Sequence, residues 1–219
     1  MKKYLEILKK CPLFFGIDEE NLLRMLTCLG ARVDHYDKSY TVMAEGGACK
    51  HIGIVLDGCV LVTGNDYYGN RSIISVINPS EMFMAAFAMS EVEHLPLSVV
   101  ADRPSVIMTI NGEHILSTCS NNCSFHKTLI FNLMRDLARK TVEFHKRAGI
   151  ISKRSTREKL LEYLMTVSKQ EGKREFFIPF DRQQLADYLE VDRSGLSTEI
   201  GKLKSEGIIE NKKNYFKLM

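Results

Sequence analysis

The chain has 219 residues, 45% hydrophobic and 26% charged, with a formal net charge of +3. That length allows one large or two modest domains, each able to bury a core, and the composition is that of an ordinary globular protein. No apolar run approaches the roughly 20 residues needed to cross a membrane. The opening stretch, MKKYLEILKKCPLFFGID, is broken by charge and Pro12 and has no signal-peptide cleavage pattern, so a cytoplasmic location without membrane contact is expected. Charge is unevenly distributed: 16 Lys+Arg against 11 Asp+Glu from His145 onward, and 14 against 16 before it. A mildly acidic front and a basic back fit a sensor joined to a nucleic-acid-binding module.

Residues 1–30 predict helices, one of them capped by Asp18 and carrying Leu22, Leu23, Met25, Leu26 and Leu29. From about Ala31 to Ile110 the period changes to two. HIGIVLDGCVLVTG reads strand, Asp57-Gly58 turn, strand; NDYYGN is a turn before the strand RSIISVI; LSVVA and SVIMTI flank Asp102-Arg103-Pro104. Short strands punctuated by turns predict a β-sandwich or roll. Between them, Met82, Phe83, Met84, Phe87 and Met89 make an apolar segment that reads either as a pocket for an apolar or aromatic ligand or as a collapsed core.

One long helix is predicted around residues 125–151. Cys123, Ile130, Met134, Leu137, Thr141, Phe144, Ala148 and Ile151 follow a heptad seam, suited to a partner helix or to the chain's own sheets. Gly149 to Thr156 is a candidate hinge, followed by the helix REKLLEYLMTVS, the loop QEGKRE and the strand in EFFIPF. Asp181 to Ile209 then reads as two helices joined by a tight turn. Leu185, Leu189 and Val191 line one apolar side, with Ala186 small enough for a close crossing, and Leu196, Ile200 and Leu203 repeat at helical spacing. Asp192 is placed to cap the second helix. Away from its buried stripe that helix presents Arg193, Ser194, Ser197, Thr198, Gly201, Lys202 and Lys204, with Glu199 the exception. Such a face suits the major groove of DNA. Two short strands close the chain around a turn bearing Lys212 and Lys213.

The six cysteines are scattered, with no pair at zinc-ligand spacing. Most are expected reduced and buried, and Cys119 and Cys123, in CSNNC, are the pair to test for redox chemistry. No nucleophile–base constellation, Gly-rich phosphate loop or metal-ligand cluster is present, so neither enzymatic activity, a cofactor nor a metal is expected.

RQQLADYL, VDRS and LKSEGII together resemble the helix-turn-helix of the CRP/FNR family of bacterial transcription regulators, and Glu45-Gly46-Gly47 and IGIVLDG resemble its cyclic-nucleotide-binding-like β-roll. The resemblance implies an α+β fold: an N-terminal double-stranded β-roll (jelly roll) sensor domain over 1–121, a long dimerisation helix and hinge over 122–151, and a C-terminal winged helix-turn-helix over 152–219. It implies a homodimer on a palindromic operator, with RNA polymerase and a small effector as further partners. Arg193, Ser194, Ser197 and Thr198 are expected to face base edges, while Arg182, Gln183 and Lys202 or Lys204 hold phosphates. The implied effector site comprises Glu81, Met82, Phe83, Phe87 and Leu95, joined by Phe144 and His145 from the long helix.

This sequence departs from the family pattern in several places. Cyclic-nucleotide binders carry an arginine-serine pair where Leu95 and Pro96 stand here, and His94 is a weak substitute. Losing that charge-assisted phosphate contact costs on the order of several kcal/mol, so tight binding of cyclic AMP or cyclic GMP is not expected. Glu190 occupies the turn position that often holds glycine, and Thr198 stands where many relatives place a base-reading arginine. An iron–sulfur cluster is not expected, since only Cys11 and Cys28 lie near the N-terminus. The alternative trigger is a cysteine-based redox or metal sensor with the same DNA-binding output.

Overall fold

The computed structural model describes residues 2–90, 92–116 and 124–219. They form two compact units, one holding residues up to Gly64 and from Ser75 to Thr141, the other Asn65–Ile74 with Val142–Met219. The element order is α1 (Leu5–Leu8), α2 (Glu19–Cys28), β1 (Arg32–Tyr36), β2 (Thr41–Met43), β3 (His51–Asp57), β4 (Val60–Asn65), β5 (Arg71–Ile77), β6 (Met82–Phe83), α3 (Ala85–Ala88), β7 (Ser98–Ala101), β8 (Ser105–Asn111), α4 (Glu113–Leu116) and α5 (Ser124–Ile151). There follow α6 (Thr156–Glu171), β9 (Glu175–Phe177), α7 (Arg182–Leu189), α8 (Arg193–Ser205), β10 (Ile209–Lys212) and β11 (Tyr215–Leu218).

The predicted roll is realised as two four-stranded sheets, ordered β1-β8-β3-β6 and β2-β7-β4-β5. The Asp57-Gly58 turn joins β3 to β4. Gly58 adopts a φ of 87°, and a Cβ there would collide with Ser105, so both conformation and space require glycine. The run HIGIVLD is apolar without alternation because β3 is buried on both faces. Ile52, Ile54 and Leu56 of β3 join Met108 and Ile110 of β8 in a core closed by Leu8, Leu13, Phe14, Leu22 and Leu26. Each such side chain contributes about 1.5–3 kcal/mol when fully buried. Asp18 caps α2 as predicted, accepting the Asn21 N–H, and the hydrogen bond from the Asn21 side-chain amide, with that backbone bond, holds its carboxyl below the usual range.

The long helix divides its apolar residues between two faces. Leu129 and Leu133 are buried in the first unit's core, with Ile130 and Leu137 packed against it. Asn132, also buried, donates to the carbonyls of Leu13 and Phe15. Two members of the predicted seam therefore belong to the chain's own core. The apolar stripe left in solvent starts one residue later: Phe131 is 58% exposed and Met134 63% exposed. Exposed Ala138, Thr141, Phe144 and Ala148 follow along the helix. Met134, Thr141, Phe144 and Ala148 of the predicted seam thus stay exposed, while Ile130 and Leu137 pack against the first unit's core. Cys123 lies outside the described residues.

The second unit holds a three-helix core and a three-stranded sheet of order β10-β11-β9. Ser155 and Glu158 form a capping box that starts α6, and Asp181 and Gln184 form another that starts α7. Leu160 and Leu164 of α6 are buried, as are Leu185, Ala186 and Leu189 of α7, Leu196, Ile200 and Leu203 of α8, and Phe216 of β11. Tyr163, Phe180 and Tyr188 pack as an aromatic trio with ring centroids 4.7–6.1 Å apart. The loop at residues 65–70 belongs to this unit, ordered by Asp66, whose Oδ1 accepts the N–H groups of Tyr68 and Asn70.

Candidate nucleic-acid interface

Helix α8 is set against α7 by a turn whose C-cap, Glu190, takes a φ of 53°. A left-handed conformation costs a non-glycine residue roughly 1–2 kcal/mol. Two cations offset that strain. Lys159 Nζ donates to the carbonyls of Leu189 and Glu190 at 3.2 and 3.3 Å, and Arg147 Nη2 lies 3.3 Å from the Glu190 carboxylate. The Arg147 guanidinium also sits 5.3 Å from the centre of the Tyr188 ring. Ala186 of α7 is fully buried. Asp192 then caps α8, accepting the Gly195 N–H at 2.8 Å and the Ser194 hydroxyl, and the Ser194 contact leads the effects that hold its carboxyl low.

With Leu196, Ile200 and Leu203 turned inward, Arg193, Ser194, Ser197, Thr198, Gly201, Lys202 and Lys204 are all exposed. The acidic exception is withdrawn. Glu199 has only 14% of its side chain exposed, held 3.2 Å from Arg157 Nη1 and 3.6 Å from Lys202 Nζ. Arg157 also grips Glu206, which raises the guanidinium pKa and lowers that of the carboxyl. Lys204 reaches the Asn211 carbonyl at 3.3 Å, so it lies toward the edge of the face beside β10.

Arg182 and Gln183 open α7. Arg182 Nη2 donates to Asn211 Oδ1 at 3.0 Å, and burial, with the nearby charge of Arg193, lowers its guanidinium pKa. Two cations so placed favour an anion between or beside them. Gln183 is exposed but not loose: its Nε2 donates to Asp187 Oδ1 at 2.7 Å. Asp187, nearly buried, receives Arg71 Nε and Nη2 on its other oxygen at 2.9 and 2.7 Å. Lys212 and Lys213 are exposed where β10 turns into β11.

The residues named for an effector are distributed differently. Met82, Phe83 and Leu95 are buried, at 1%, 2% and 3% exposure, with Phe87 half-buried. Gly53 admits the Phe83 ring, because a Cβ there would overlap it. The Glu81 carboxylate accepts the Asn78 N–H at 2.7 Å. Ser80 and Met84, on either side, are left-handed at φ 72° and 63°, a strained pair around this segment. Phe144 and His145 are exposed and fall in the second unit, whereas the other five lie in the first. At Met82, Phe83 and Leu95 the segment is packed core.

A cation does reach this segment, from α5: Lys140 Nζ donates to the Met82 carbonyl at 2.6 Å. Near it Asp136, its side chain 1% exposed, pairs with Arg139 at 2.6 Å and keeps Oδ2 without a hydrogen-bond partner. Burial, with Asp136 adding to it, pushes the Cys11 thiol up to about 12. Sequence reasoning passed over Asp136 and Lys140 because charged helical residues are normally solvated. Their one signal is the four-residue spacing that puts both beside Leu133 and Leu137. Cys49 and Cys59 are likewise buried with raised pKa values, while Cys28 is exposed. Cys119 and Cys123 lie outside the described residues. Among the described residues no cluster of metal-ligating side chains occurs, and no helix is long and apolar enough to cross a membrane.

Roll, long helix and winged helix-turn-helix in that order define a class: regulators joining a β-roll domain to a DNA-reading module. Residues 33–122 match the family model of the cyclic nucleotide-binding domain, and residues 158–218 match that of the Crp-like helix-turn-helix domain. Among solved structures, the c-di-GMP responsive global regulator CLP of Xanthomonas campestris is similar at 13% identity, with 92% of this chain and 99% of that one covered and a TM-score of 0.75. FixK2 from Bradyrhizobium japonicum is similar at 15% identity, covering 86% and 92%, with a TM-score of 0.66. A CooA mutant from Carboxydothermus hydrogenoformans is similar at 15% identity, covering 92% of each chain, with a TM-score of 0.70. At these identities the likeness is one of fold. No curated protein matches the chain significantly. The chain belongs to the CRP/FNR family of DNA-binding transcription regulators.

Proposed function

We propose that the chain acts as a cytoplasmic, non-enzymatic homodimer that reads a palindromic operator and is switched by a small effector other than cyclic AMP. The observation that carries the DNA reading is the solvent face of α8, which bears a guanidinium and three hydroxyls while its carboxylate is withdrawn. In this reading Arg193, Ser194, Ser197 and Thr198 face base edges, and Arg182, Gln183, Lys202 and Lys204 hold phosphates. The division is a sensor domain over 1–121, a dimerisation helix and hinge over 122–151, and a DNA-binding domain over 152–219. Two copies joined along the exposed stripe of α5 would present two α8 helices to half-sites about 34 Å apart, one turn of DNA. RNA polymerase is the downstream partner that the family implies.

The test is selection of bound sequences from random DNA, followed by affinity measurements at one fixed salt concentration. A palindrome should be enriched, and replacing Arg193 and Ser197 together by alanine should abolish its recognition. Retained recognition would overturn the assignment of α8.

For the effector, Glu81, Met82, Phe83, Phe87 and Leu95 remain the proposed residues of the first unit, and Phe144 and His145 those of the second. Burial of Leu95, where a phosphate-binding arginine would stand, supports exclusion of cyclic AMP. Similar folds carry different triggers: CLP is described as c-di-GMP responsive, and the related structure of CprK is a complex with OCPA. An effector acts here through unequal affinity for two arrangements of the DNA-reading helices. Sub-micromolar cyclic AMP binding by calorimetry would refute the exclusion. DNA affinity that no metabolite alters would refute the switch.

A further inference from the structure

The geometry of α8 points to a polarity in how it reads bases. We propose that Ser197 and Thr198 act as hydrogen-bond acceptors, so that α8 selects amino-bearing bases, adenine or cytosine, where these two residues meet the groove edge. The proposal rests on the operator-binding reading above and specifies its target.

All four hydroxyls of α8 donate to oxygens of the protein itself. Ser194 Oγ donates to the Asp192 carboxylate. Ser197 Oγ donates to the Arg193 carbonyl at 2.9 Å, Thr198 Oγ1 to the Ser194 carbonyl at 3.0 Å, and Ser205 Oγ to the Lys202 carbonyl at 2.8 Å. A carbonyl or carboxylate oxygen can only accept, so the single hydroxyl proton lies in each of these bonds. What Ser197 and Thr198 have left for the outside is oxygen lone pairs, and both residues are exposed.

In the major groove the donors are the N6 amino group of adenine and the N4 amino group of cytosine; guanine and thymine offer acceptors. Donors on the helix are segregated. Arg193 is exposed at its start, whereas Lys202 leans back to Glu199 and Lys204 to the Asn211 carbonyl. The carboxylate that could compete for amino groups, Glu199, is held by Arg157. One end of the face therefore offers a guanidinium suited to guanine, and its middle offers acceptors.

The experiment selects operators from random DNA with four full-length proteins: the unaltered chain, Thr198→Val, Thr198→Ser and Ser197→Ala. Thr198→Val keeps size and shape but removes the oxygen, and unchanged thermal midpoints verify folding. The unaltered chain should enrich adenine or cytosine at one position per half-site that Thr198→Val relaxes or converts to thymine, whose methyl suits the added one. Affinity for the original site should fall by about five- to tenfold. Thr198→Ser should keep the preference, and Ser197→Ala should relax a different position. A palindrome whose preferences all four proteins share, or one that Thr198→Ser loses as fully as Thr198→Val, would overturn the acceptor assignment while leaving DNA binding intact. Failure of the unaltered chain to enrich any sequence would overturn the operator-binding reading and this inference with it.

Discussion

Gly201 occupies the interior of α8, where glycine costs about 1 kcal/mol relative to alanine. Nothing in the fold requires it: a Cβ there would meet no atom within 4 Å, and the residue is exposed on the side of Ser194, Ser197 and Thr198. Gly201→Ala should therefore raise the thermal midpoint while weakening operator binding, because the added methyl would stand where the groove approaches. Unchanged DNA affinity in a stabilised variant would show that this side of the helix is not apposed to DNA. The cysteines separate as sharply. With Cys11 pushed up to about 12 by burial, and Cys49 and Cys59 also raised, iodoacetamide at pH 8 should label Cys28 first among these four. Peptide mass mapping reads the order, and early labelling of Cys11 would contradict its burial.

At the scale of elements, α8 is held by charges at both ends. Ser194 keeps the Asp192 carboxyl low at its start, and Arg157 keeps that of Glu206 low at its end. Both folded pKa values lie below the unfolded ones of about 4. The stability they contribute is thus fully present above that range and is lost as pH falls through the folded values. The thermal midpoint should drop below about pH 4, and Asp192→Asn with Glu206→Gln should flatten that drop. An equal acid dependence in the double variant would exclude these two groups as its source. Ala186 of α7 is 0% exposed, so Ala186→Leu should overpack its surroundings and destabilise the second unit by about 1–3 kcal/mol in denaturant unfolding.

At the scale of the whole molecule, the exposed stripe of α5 and the Arg71–Asp187 pair carry the predictions. Charging the stripe with Phe131→Glu and Met134→Glu should leave the monomer folded but shift sedimentation to a single chain. A dimer persisting in that variant would move the interface elsewhere. Arg71 is separated from Asp187 by 116 residues of sequence, and removing it leaves a nearly buried carboxylate with Gln183 as its remaining described side-chain donor. Arg71→Ala should destabilise the second unit by about 1–3 kcal/mol. Arg71→Ala and Gln183→Ala should also be non-additive in operator affinity, since Asp187 joins them. Additive losses would show that Gln183 is positioned without Arg71.

Local patterns determined a great deal. Period-two strands with glycine turns, the caps at Asp18 and Asp192, the buried stripe of α8 and the left-handed turn at Glu190 all depend on residues a few positions apart. The order of roll, helix and helix-turn-helix came from the resemblance to the CRP/FNR family. What only the tertiary structure decided depends on long-range partners. Burial against the sheets chose which side of α5 stays exposed, Lys140 found the Met82 carbonyl, Arg157 withdrew Glu199, and Arg71 reached Asp187. Helical spacing says which side chains share a face, but only packing decides which face meets water. A charged residue's partner can lie anywhere in the chain, so composition and spacing carry no record of it.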